Sequence, residues 1–143
     1  MTTDAARNTS MRVAALAAVV ILVLAGILWL LWPSPPGSLT LRSGTARHLV
    51  TVTVAHPRLG DSALDIELTD HDGRVVDTMV HLQVIDPRMG YAAPVVMAKP
   101  VRPGRFHVPA VSFMSTGPWE LRLTLSPADG DDDRIGLPLW ISG

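Results

Sequence analysis

The chain has 143 residues, with 12 Lys and Arg against 13 Asp and Glu, and it contains no cysteine. Disulfides and thiolate metal sites are therefore excluded, and a near-neutral chain with no basic stripe offers nucleic acid no footprint. The length suits one domain of about 100 residues and an appendage.

The appendage comes first. Residues 13–32 read VAALAAVVILVLAGILWLLW without a charge, and as a helix they span ~30 Å, enough to cross a bilayer. Arg7 and Arg12 precede this run, and no Lys or Arg follows before Arg42. The positive-inside rule then makes residues 1–12 a cytoplasmic tail and puts the C-terminal part outside. A cleaved signal peptide is the competing reading, but its apolar region is about 7–15 residues and ends in a small-residue site. Here the run is longer and passes into WPSPPGS. The sequence predicts an uncleaved, single-pass signal-anchor in the cell membrane, a proline-rich linker over 33–46, and an extracytoplasmic domain over 47–143.

Period-2 alternation recurs through that domain, with turn residues between the runs. Val50, Val52 and Val54 share one face, then Leu64, Ile66 and Leu68, then Val80, Leu82 and Val84. APVVMAKP is a weaker run. In GRFHVPAVSFM, Phe106, Val108, Ala110 and Met114 have one parity, although a bulge at Pro109 would reverse that of Met114. Trp119, Leu121, Leu123 and Leu125 follow, and Ile135, Leu137, Leu139 and Ile141 close the domain. Seven one-sided strands with no convincing helix predict an all-β, immunoglobulin-like β-sandwich preceded by one transmembrane helix. Pro109 and Pro138 cannot donate to a ladder, so each should mark an edge or a bulge. In such a sandwich the loops at His56, Met89 with Tyr91, and Met114 with Trp119 gather at one end. A linker running straight into the His48 strand would enter at the opposite end and leave the His56 end pointing away from the membrane.

No enzyme signature is present: there is no cysteine nucleophile, G-x-S-x-G, phosphate-cradling glycine loop or H-E-x-x-H. The chain reads as a non-enzyme. Soft donors are a better lead, because thioether and imidazole ligands suit Cu(I). His56, Met89, Met97 and Met114 are the candidates, against the reading that methionine fills irregular core space. Parity favours a core role for Met114, whereas Met89 sits beside Gly90 in a loop. His81 and His107 are expected as solvated imidazoles, and the acidic run Asp129–Asp133 as a solvated turn.

Four motifs in order also carry a resemblance. They are the D-x-x-G turn Asp70–Gly73, the P-x-M-G segment Pro87–Gly90, the G-R-aromatic start Gly104–Phe106 and the M-x-x-G-x-W turn Met114–Trp119. They lie within the 56 residues Asp70 to Leu125, and the stretch resembles the YtkA-like domain and, more distantly, the FixH proteins. The resemblance implies an immunoglobulin-like, membrane-anchored domain associated with copper handling or with assembly of a copper-containing oxidase. Where that family often reads M-G-H, this chain reads Met89, Gly90, Tyr91, so one imidazole ligand is lost. Two readings follow. One is an extracytoplasmic accessory protein for copper delivery or oxidase assembly, with Met89, Met114 and His56 as Cu(I) ligands and an oxidase or copper transporter as membrane partner. The other is a metal-free interaction module that packs against another membrane protein.

Overall fold

Alternating burial in this chain resolves into two antiparallel sheets facing each other. The computed structural model describes residues 19–24, 26–27 and 37–143, in two units, Met1–Pro35 and Pro36–Gly143. In the first unit, 19–24 and 26–27 are helical. Among the described residues no helix is long and apolar enough to cross a membrane. The expected tail over 1–12 and most of the expected anchor over 13–32 lie outside the described residues.

The second unit contains ten strands: β1 (Leu39–Gly44), β2 (His48–Val54), β3 (Gly60–Asp70), β4 (Thr78–Asp86), β5 (Tyr91–Ala92), β6 (Val96–Met97), β7 (Lys99–Arg102), β8 (Arg105–Phe113), β9 (Gly117–Pro127) and β10 (Asp133–Ile141). One sheet runs β1-β2-β3-β8-β7 and the other β10-β9-β4-β5, with β6 also on β4. All the ladders are antiparallel. The result is an all-β sandwich whose strand order is consistent with an immunoglobulin-like fold. The count above seven comes from β1 and from the region of the weak run APVVMAKP, where the short strands β5 (just before it), β6 and β7 replace one expected strand. The chain changes sheets at the buried Ala98.

The linker assignment over 33–46 needs correction at its C-terminal half. Leu39–Gly44 is a strand, paired with β2 from Leu39↔Val54 to Gly44↔Leu49. Its side chains are only half-buried, so the alternation is too short and shallow to stand out in sequence. This strand also reverses the expected polarity. Leu39 lies beside Val54, so the chain enters the sandwich at the His56 end and not opposite it.

A second correction concerns β8. On β3 the register passes from Ser62↔Val111 to Leu64↔Val108, so Pro109 and Ala110 together face Ala63 in a β-bulge. Beyond it the parity reverses: Val111 and Phe113 are buried, and Ala110 and Met114 are exposed. Proline is tolerated here because the β7 ladder on the other side of β8 ends at His107. Pro138 lies on β10, an edge strand.

The core runs from Val50 to Ile141, with Leu39 and Leu41 packed against it. Trp119 is buried, with Phe113 edge-on to it at 5.3 Å and Tyr91 edge-on at 6.4 Å. The fragment 37–143 should therefore fold alone. In that fragment Trp119→Ala should lower the unfolding free energy by about 3–5 kcal/mol, measured by urea denaturation. Met114→Leu, on the surface, should change it by less than about 0.5 kcal/mol.

Candidate functional site

The end of the sandwich at which the chain enters gathers three loops. The first follows β2: the His56 carbonyl accepts from Arg58 N at 2.8 Å, and His56 N donates to Ser62 Oγ at 2.9 Å. The C-terminus closes over this loop, with Leu59 N donating to the Ser142 carbonyl and Ser142 N to the Pro57 carbonyl, each at 3.1 Å. Nothing in these contacts engages the His56 ring, which is exposed. The second loop carries Met89, which is 69% exposed, and the third Met114, which is 60% exposed.

The second and third loops are fastened to each other by a buried carboxylate. Asp86 continues the inward parity of Val80, Leu82 and Val84 and has no exposed surface. Such a group must be fully hydrogen-bonded. Its Oδ1 accepts from Arg88 N at 3.0 Å and Met89 N at 3.4 Å, which fixes the turn bearing Met89. Its Oδ2 accepts from Ser115 Oγ at 2.6 Å and from the Arg88 guanidinium at 3.3 Å. The same guanidinium reaches across to Ser115 Oγ at 3.2 Å and the Thr116 carbonyl at 2.5 Å. Trp119 Nε1 donates to the Ser115 carbonyl at 2.9 Å, which ties the Met114 loop to the core aromatic cluster. The hydrogen bond from Ser115, then those from Arg88 and Met89, hold the Asp86 carboxyl below the usual carboxylate range against the effect of burial.

Gly117 makes room for this contact. Its φ is +114°, and a Cβ there would lie 2.6 Å from an Arg88 guanidinium nitrogen. Only glycine combines that backbone with a cation lying against it. The M-x-x-G-x-W turn is therefore a packing motif: Gly117 seats Arg88, and Trp119 anchors Ser115.

Of the four candidate donors, His56, Met89 and Met114 lie at one end, and the loops of Met89 and Met114 are directly joined; Met97 stands apart from them on β6, opposite His81. Met114 does not take the core role its parity suggested; Phe113 stands against Trp119 instead. Tyr91, where a ligand imidazole would stand in the resemblance, packs half-buried against the core. Sequence reasoning missed Asp86. Its signal was a charge at the fifth inward position of a clean alternation, TMVHLQVID. Among the described residues no group of three His, Cys, Asp or Glu converges as a metal site, so any ligand set here must rely on thioether sulfur.

Two antiparallel sheets, a bulged β8 and a loop-built end define this chain as an all-β sandwich, consistent with an immunoglobulin-like fold. No protein-family model matches the chain, and neither does any curated protein. Among solved structures it is similar to the soluble domain of PmoD from Methylocystis sp. ATCC 49242 (Rockwell). The TM-score is 0.55 and the identity 15%, over 73% of this chain and 98% of that one. At that identity the likeness shows the shared fold alone.

Two outcomes follow from the buried carboxylate. A carboxyl held low in the folded state binds protons less readily there than in the unfolded chain. Its contribution is therefore complete above the ordinary carboxylate range and lost as pH falls through the folded value. Urea midpoints should thus fall as pH is lowered from about 5 toward 2. Asp86→Asn should lower the midpoint at neutral pH and shallow that acid limb. Asp133, whose burial is outweighed by hydrogen bonds from Thr45 and His48 and the charge of Arg47, should preserve part of the slope. Gly117→Ala should destabilise by more than about 1 kcal/mol, seen in the same assay.

Proposed function

We propose that this chain is a membrane-anchored, extracytoplasmic accessory protein that handles copper, with Met89, Met114 and His56 as Cu(I) ligands. The observation that carries this reading is the exposure of Met114. The β8 bulge turns its thioether out at the end where Met89 and the unengaged His56 ring are also exposed. Two thioethers and an imidazole form a donor set suited to Cu(I), and a cysteine-free domain has no softer alternative. The YtkA-like resemblance points to the same chemistry. The partner in this reading is a copper-containing membrane protein, an oxidase or a copper transporter, which would receive the ion from an exposed and exchangeable site.

The test is Cu(I) affinity by competition with a chromogenic chelator, under anaerobic conditions, on the full chain in detergent. Met89→Leu and Met114→Leu should each weaken binding by about tenfold or more, while leaving the urea midpoint unchanged. Wild-type affinity in both variants would overturn this ligand set. A wild type that binds no Cu(I) would overturn copper handling and favour the metal-free module. The apolar cleft lined by Val75, Val76, Pro100 and Phe106 would then be its contact surface.

A further inference from the structure

The remaining two methionines of the domain are also on the surface. Met79 is 55% exposed and Met97 60% exposed. The β4–β6 register puts Met97 directly opposite His81, with Val96 opposite Leu82. Paired residues of antiparallel strands project to the same face with Cβ atoms about 5 Å apart. Met79 lies two residues before His81, about 7 Å along β4, and the buried Val80 between them fixes both on the outer face. Met79 and Met97 also line one and the same cleft, beside Val76, Pro100 and Phe106. Two thioethers therefore flank one imidazole, on strands held by main-chain hydrogen bonds.

The imidazole is available. His48 is engaged by Asp133, His71 by the Thr45 carbonyl and His107 by Asp65. The His81 ring makes no hydrogen bond among the described residues. Its neighbour across the other ladder is Thr124, and that of Met79 is Ser126, so neither position brings a cation against the group. Core filling does not account for methionines on an outer face, since their sulfur and methyl contact water instead of packed apolar atoms.

We infer that Met79, His81 and Met97 form a second soft-metal site, which takes one Cu(I) on the outer face of the β4–β6 ladder. This site lies at the opposite end of β4 from Asp86 and shares no residue with the Met89 end. Two thioethers and a neutral imidazole match the preference of Cu(I) for soft and borderline donors. The strand pairing supplies preorganisation: the ligands stand on sheet positions, whereas Met89 and Met114 stand on loops.

The experiment uses the full chain in detergent, labelled with [methyl-13C]methionine and titrated anaerobically with Cu(I) supplied as its acetonitrile complex. The Met79 and Met97 methyl resonances should shift together and saturate within one added equivalent of their own site. Total stoichiometry by chelator competition should be two per chain. Met79→Leu, Met97→Leu and His81→Gln should each remove one equivalent, with circular dichroism and the urea midpoint unchanged. X-ray absorption on a Met89→Leu, Met114→Leu background should show two sulfurs and one nitrogen on the retained ion. Binding that moves only the Met89 and Met114 resonances would overturn this inference and keep the earlier one. Binding that moves only Met79 and Met97 would do the reverse. No Cu(I) binding at all would overturn both.

Discussion

Much of this domain depends on the single extra residue in β8. Ala63 faces both Pro109 and Ala110, and from that point every side chain on β8 changes face. Without the bulge, Met114 would be driven inward and Phe113 outward. With it, Phe113 closes the aromatic cluster against Trp119, and a polarizable sulfur is delivered to the surface at the strand's end. Proline enforces the arrangement by having no N–H to give, at a point where the neighbouring β7 ladder has already ended. A period-2 structure has no gentler way to move one residue from core to rim.

The aromatic cluster and the buried carboxylate then work as one unit. Trp119 supplies apolar burial and, through its indole N–H, holds the Ser115 carbonyl. Ser115 donates its hydroxyl hydrogen bond to Asp86, and Arg88 spans both loops over the flat surface left by Gly117. The ion pair is half wet on the arginine side and dry on the aspartate side. Removing one partner would leave the other's desolvation uncompensated. Loops carrying solvent-exposed sulfur are thus fixed from beneath by the buried Asp86 and Trp119.

Methionine placement is the feature that ties the fold to a copper reading. All four methionines of the domain, Met79, Met89, Met97 and Met114, are more than half exposed. The core is instead built from Val, Leu, Ile, Phe and Trp. The described core packs without methionine, and the thioethers stand at the surface, where filling core space does not account for them. Two groupings result, one at the loop-built end with His56 and one on the β4–β6 ladder with His81.

Most of the architecture was legible in the chain itself. Inward positions of β2, β3, β4, β9 and β10 follow from alternation, because a half-buried strand must place apolar residues at every second position. The proline at 109 marked the place where a bulge would reverse parity, and Met89 beside Gly90 read directly as a loop residue. Other features were decided by tertiary structure. The half-buried β1 gains its strand character from pairing with β2, and that pairing sets the end at which the chain enters. The side taken by Met114 was settled by whether the bulge formed, which depends on the register with β3 as well as on Pro109. His81 and Met97 are 16 positions apart in sequence, and β6 is only two residues long. Composition and spacing determined which donors this chain owns; only strand register, a long-range property, determined which of them face one another.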